Sequence, residues 1–156
     1  MITIRFKQSL DIDQPAQEIF DYMSDLDNLI DWSSTAITVR KLSSGSIGVG
    51  TRVSSTIRFW GKWMTLTFEI VEYEPARYLT LKSISGIAPS FFCYQFEPRA
   101  DGGTTLLQEA MLHLTEEMAE PTASIVARAV RRQLEYDLLT LKDLLEVRAS
   151  VSRIAD

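Results

Sequence analysis

The order of hydrophobic patterns along this chain constrains its fold more than any single motif does. Ile2, Ile4, Phe6, Leu10 and Ile12 share one parity, and Thr3, Arg5, Lys7, Asp11 and Asp13 take the other. Alternation of this kind marks a half-buried strand, and Gln8 is its one polar interruption on the apolar face. The strand leads straight into Pro15, which suits a first helical turn, with Gln14 or Asp13 as cap. Ile19, Phe20 and Met23 then form a buried helical stripe, and Leu26, Leu29, Ile30 and Trp32 predict a second short helix. Strand-like sequence follows to about Leu114, and one long helical pattern closes the chain. That order predicts an α+β architecture, a curved sheet closed around a helix over an apolar cavity.

Bulk composition narrows the function classes. With 156 residues, 46% of them apolar, the chain can build a substantial core, and we expect one domain over residues 1–147 with a frayed tail at 148–156. A net charge of −5 leaves no basic footprint for nucleic acid or anionic lipid. No apolar run approaches the ~18 residues of a membrane span. The chain opens directly into a strand with no signal peptide and carries one cysteine, Cys93, so a cytoplasmic location is expected. His113 is the one histidine, so neither a zinc or copper site nor a cofactor is expected.

The middle of the chain suggests its own strand pairing. Trp60-Gly61-Lys62-Trp63 reads as a two-residue hairpin of type II′, with Gly61 at the first central position. Phe59 would then face Met64, Ile57 face Leu66, Ser55 face Phe68 and Val53 face Ile70, an almost wholly apolar set. The other face carries Arg58, Thr56, Ser54, Thr65, Thr67 and Glu69, and a one-residue slip would scramble both. Glu74-Pro75-Ala76-Arg77 is the next turn. It pairs Ile70 with Leu81 and Phe68 with Ser83, and sets Glu69 against Lys82 as a cross-strand ion pair. Phe92, Tyr94 and Phe96 mark the bulkier face of the following strand. In the last strand Leu106, Gln108, Ala110, Leu112 and Leu114 oppose Leu107, Glu109, Met111 and His113, and parity alone leaves open which set faces inward. Ser43 to Gly50 is a loop by composition and lacks the lysine and spacing of a phosphate loop. Pro121 starts the closing helix, with Glu116, Glu117 and Glu120 near its positive end. Ala123, Ala127, Val130, Leu134, Leu138, Leu141 and Leu145 form its stripe. To Glu146 this helix would be about 39 Å long, with small residues on the first half of its buried face and leucines on the second.

Several segments together resemble a known superfamily. Ile12-x-x-Pro15-x-x-x-Ile19-Phe20, followed by Asp25 and Trp32, resembles the opening of the helix-grip proteins. These are the START-related, pollen-allergen-like and polyketide cyclase/dehydrase-like domains grouped as SRPBCC. Gly48-Val49-Gly50 resembles their G-x-G lead-in to the third strand, and Val71 to Pro75 a V…E…P segment. Gly102-Gly103-Thr104-Thr105 resembles the lead-in to their last strand, and Leu141-Lys142-Asp143-Leu144-Leu145-Glu146 the end of their closing helix. The resemblance covers roughly residues 2–147; Gln14 stands where the family has alanine. It implies a helix-grip fold: a seven-stranded curved antiparallel sheet wrapped around a long C-terminal helix, with two short helices after strand 1. It also implies a cavity for a hydrophobic small molecule. It implies no single activity, since the superfamily includes carriers, receptors, cyclases and co-chaperone domains.

Under that resemblance Ile57, Phe59, Met64, Leu66, Phe68, Leu81, Phe92, Tyr94, Gln108 and Val130 would line the cavity; the same residues would equally build a plain core. Tyr94 and Gln108 are the polar members, and each needs a partner supplied by a ligand, the backbone or water. His113, Glu109 and Arg58 belong to the solvent side by register, and Cys93 opposes the aromatic parity with no histidine partner. Trp60 and Trp63 fall on the outer face at a hairpin tip, where a homodimer contact, a partner or the sheet's own edge would cover them. The leading expectation is a binder of a lipid, isoprenoid or polyketide-like molecule. The alternatives are a cyclase/dehydrase-type enzyme using Tyr94 and Gln108 to position substrate, and an interaction module using the Trp60/Trp63 tip.

Overall fold

The computed structural model describes residues 2–59, 61–85, 89–115 and 123–155. Strand β1 (Ile2–Ile12) leads into α1 (Ala16–Ser24), a 3₁₀ turn (Leu26–Asn28) and the short α2 (Leu29–Trp32). Strands β2 (Ala36–Lys41), β3 (Arg52–Phe59), β4 (Lys62–Glu74), β5 (Tyr78–Ser85), β6 (Ser90–Pro98) and β7 (Thr104–Leu114) follow, and α3 (Ala123–Ala155) closes the chain. The seven strands form one antiparallel sheet in the order β1-β7-β6-β5-β4-β3-β2. Among the described residues no helix is long and apolar enough to cross a membrane.

Pro15 is itself the N-cap of α1, and no side chain caps the helix, so neither Gln14 nor Asp13 plays that part. The Pro15 carbonyl instead accepts from the N–H groups of Glu18 and Ile19 at 3.1 and 3.2 Å. Ile19, Phe20 and Met23 are buried as their spacing requires, with Phe20 edge-on to both Tyr73 and Phe96.

The β3–β4 hairpin corrects the expected register. Ile57 pairs with Met64 and Phe59 with Lys62, so the strands are displaced by two residues from the predicted alignment. Gly61 therefore sits at the second central position of the turn, with φ at +73°, and the type II′ assignment is wrong. A two-residue displacement leaves every side chain on its predicted face, so the apolar split could not detect it. The β4–β5 pairing follows expectation, with Ile70 opposite Leu81, Phe68 opposite Ser83 and Glu69 opposite Lys82. Glu69 nevertheless meets Arg52 of β3 at 3.6 Å rather than Lys82. The turn is closed by Arg77 N–H donating to Glu74 O at 2.9 Å, and Ala76 takes φ +62° to make it.

Helix α3 is 33 residues long, about 50 Å at ~1.5 Å per residue. The segment expected to fray is helical through Ala155. Arg148 lies over the Tyr22 ring at 4.9 Å, and Glu146 accepts from the Asp13 N–H at 3.1 Å, so this end of the helix has partners on α1 and beside β1. Val126, rather than Ala127, is fully buried beside Val130 and Leu134 in a cluster with Ile4, Ala110 and Leu114. Leu138, Leu141 and Leu145 pack into the larger cluster with Ile12, Phe20 and Phe96. Pro121, Glu116, Glu117, Glu120 and Trp60 lie outside the described residues.

Candidate functional site

Between the concave face of the sheet and the first half of α3 lies a cavity of about 120 Å³. Ile57 and Phe59 reach it from β3, Met64, Leu66 and Phe68 from β4, and Leu81 from β5. Phe92 and Tyr94 come from β6, Gln108 from β7 and Val130 from α3, so the ten residues selected from the sequence converge on one space. Period-two alternation accounts for this, because each strand turns one parity inward. Trp32 of α2 and Leu29 also contribute to the wall, and the Trp32 ring meets Tyr94 edge-on at 6.3 Å.

A row of polar side chains runs along this mostly apolar wall. Gln108 stands opposite Gln8 in β1 and opposite Tyr94 in β6, so three neighbouring strands bring these residues side by side. Gln8 Nε2 donates to Leu134 O at 2.9 Å and to Gln108 Oε1 at 2.6 Å. Gln108 Nε2 donates to the Tyr94 hydroxyl at 3.1 Å. Gln8, the interruption in the β1 pattern, is thus a member of the row. Burial pushes the Tyr94 phenol far above its ordinary range, outweighing the Gln108 hydrogen bond, so its proton is retained at any physiological pH.

Sequence reasoning missed several residues of the wall, among them the buried polar side chains of Asp137 and Ser55. Asp137 is buried, with Oδ1 accepting from the Ser34 N–H at 2.9 Å and Oδ2 from Gln133 Nε2 at 3.0 Å. Burial raises its carboxyl above the usual range, opposed by the hydrogen bonds from Ser34 and Gln133. Its signal was present, since it follows Val130 and Leu134 on the apolar stripe of α3 where a charge is out of place. Ser55 is fully buried on the inner face of β3, and its Oγ has no hydrogen-bond partner among the described groups. A serine among apolar inward residues marked it equally.

The other candidates lie elsewhere. His113 contacts Thr3 Oγ1 through Nδ1 at 3.0 Å and Glu109 meets Lys7 at 3.8 Å, which settles the parity of the last strand. Cys93 pairs opposite Glu109 on that same outer face. Arg58 stacks over the Trp63 ring at 5.9 Å, and Trp63 is 61% exposed. Among the described residues no three His, Cys, Asp or Glu side chains come together as metal ligands would.

A sheet wrapped around a C-terminal helix with an apolar space between them defines the helix-grip class. Residues 3–146 match the family described as polyketide cyclase/dehydrase and lipid transport, and the chain belongs to that family. No curated protein matches it. Among solved structures, the ZhuI aromatase/cyclase from Streptomyces sp. R1128 is similar with a TM-score of 0.75 at 16% identity, over 95% of this chain and 96% of its own. TTHA0849 from Thermus thermophilus gives 0.75 at 17%, over 91% and 95%. Ara h 8.0201 gives 0.69 at 16%, over 94% and 99%. At these identities the likeness concerns the fold.

Proposed function

We propose that the protein binds a hydrophobic small molecule of the lipid, isoprenoid or polyketide-like kind between the sheet and α3. The convergence of apolar side chains from β3 to β7 and α3 on one space, with polar groups limited to the Gln108–Tyr94 row, the Thr35–Gln133–Asp137 set and a few serines, supports this reading. Ligand sites are mostly apolar with a few orienting polar groups. A space of 120 Å³ is close to the ~150 Å³ of an engineered cavity that takes benzene, so a larger ligand must displace a wall. Met64, with its flexible thioether, is the side chain best suited to move. Native mass spectrometry of freshly purified protein, with identification of what denaturation releases, tests the proposal. A retained apolar molecule that Val130→Phe abolishes without loss of fold supports it. Unchanged retention in that variant would place the ligand elsewhere.

The buried Asp137 carboxylate favours a second reading, a cyclase/dehydrase-type enzyme in which Tyr94 and Gln108 position the substrate and Asp137 moves a proton. Tyr94→Phe and Asp137→Asn would then lose turnover of a ring-closing substrate while keeping its binding. Parallel loss of both would argue for binding alone.

A further inference from the structure

The polar row has a direction, and one backbone carbonyl sets it. Leu134 O can only accept, so the Gln8 atom facing it at 2.9 Å is Nε2. That nitrogen also lies 2.6 Å from the Gln108 side chain, whose facing atom is therefore Oε1. The opposite end of the Gln108 amide is then its nitrogen, which donates to Tyr94 Oη at 3.1 Å. A phenol hydrogen lies in the ring plane on one side of the oxygen or the other. Gln108 occupies one side as a donor, so the Tyr94 hydrogen takes the other, where it has no acceptor among the described groups. Tyr94 lines the cavity, and so does the buried, unpartnered Ser55 hydroxyl.

We propose that the cavity selects ligands carrying a hydrogen-bond acceptor oxygen, such as a ketone or ether, which the Tyr94 hydroxyl receives, with Gln8 as the positioning residue that sets this polarity. The proposal rests on the cavity being a ligand site. Ser55 can donate or accept by rotating its hydroxyl, so it adds a contact without choosing between ligands. Gln8 selects through two intermediaries. Its amide, held by Leu134 O, prevents Gln108 from turning over, and a Gln108 that cannot turn keeps Tyr94 a donor. A ligand that offers only an N–H would meet the phenol hydrogen head to head.

Three small bicyclic probes separate the possibilities: 1-indanone offers an acceptor, indole offers a donor, and indane offers neither. Calorimetric titration of the wild type should find 1-indanone about tenfold tighter than indane, the effect of one net hydrogen bond, and indole no tighter than indane. Tyr94→Phe should bring 1-indanone down to indane. Gln108→Glu still accepts from Gln8 through one oxygen and takes the Tyr94 hydrogen with the other, so the order should invert, with indole above 1-indanone. If that buried carboxylate prevents folding, Gln8→Met releases the Gln108 amide, and the ketone preference should shrink while indane affinity holds. The carbonyl stretch of bound 1-indanone should lie at lower wavenumber in wild type than in Tyr94→Phe. Equal affinity of the wild type for 1-indanone and indane would overturn the polarity proposal alone. So would an unchanged order in both Gln108→Glu and Gln8→Met. Failure of all three probes to bind folded wild type would overturn the binding reading with it.

Discussion

Replacing Ser55 by alanine should stabilise the protein while weakening its hold on a polar ligand. A buried hydroxyl without a partner carries a desolvation cost of ~1–3 kcal/mol. Ser55 is fully buried, and its Oγ has no partner among the described groups. Removing the oxygen forfeits a few dispersion contacts of ~0.1–0.2 kcal/mol each. The net expectation is a gain of about 1 kcal/mol, a rise in melting temperature of roughly 2–4 °C for a chain of this length. Urea unfolding followed by tryptophan fluorescence reads this directly, since Trp32 is buried in the cavity wall. With a slope of ~2 kcal/mol/M the midpoint should move up by about 0.5 M and the slope should not change. Ser54→Ala, on the outer face of the same strand, is the control and should stay within ~0.5 kcal/mol of wild type. A destabilisation of Ser55→Ala by about 0.5 kcal/mol or more would mean that the hydroxyl is satisfied in the empty protein. Ser55 would then carry no unmet hydrogen bond for a ligand to fill.

Asp137 makes stability depend on pH. Its carboxyl is raised in the fold, so the native state holds the proton to higher pH than the unfolded chain, whose aspartates titrate near ~3.9. The stability cost is absent below the unfolded value, grows as pH rises towards the folded value, and is fully present above it. Asp137→Asn should therefore gain on wild type in urea midpoints as pH rises above the unfolded value, and a constant offset would show that the group titrates as in the unfolded chain. Ala76→Gly should stabilise by about 0.5 kcal/mol, because the left-handed φ costs alanine ~1–2 kcal/mol and glycine gives back ~0.5–1 in the unfolded chain. A loss in thermal unfolding would show that packing of the Ala76 methyl against the core dominates. A homodimer contact through the Trp60/Trp63 tip, proposed on the exposure of Trp63, predicts that Trp63→Ser reduces a dimeric mass to that of a monomer by light scattering. A mass that does not change removes the idea.

Local pattern was enough to establish which residues face inward. Alternation in β1, β3, β4 and β6 and the apolar stripe of α3 depend only on neighbours along the chain, and inward-facing side chains of a closed sheet must meet, whereas in β7 both parities carry apolar residues and only the fold turned Gln108 inward. Pro15 and Pro75 likewise punctuate the chain by fixing their own φ, although beside Pro75 the strands pair Glu74 with Tyr78, and the predicted Ile70–Leu81 pairing is reached only past an irregularity between Ile70 and Glu72. The β3–β4 register was not legible, because glycine tolerates positive φ at either central turn position and a shift of two residues preserves every face. The far end of α3 continues past its leucine stripe, where Arg148 lies over the Tyr22 ring of α1, a contact between residues far apart in the sequence. The polar row belongs to the same category. Gln8 and Gln108 are 100 residues apart, and Gln8 and Leu134 are 126 apart. Sequence marked Gln8, Tyr94 and Gln108 as polar residues in apolar places, since such groups must find partners wherever they are buried. Only strand pairing chose those partners, and only the lone pairs of one helical carbonyl decided which way their hydrogen bonds run.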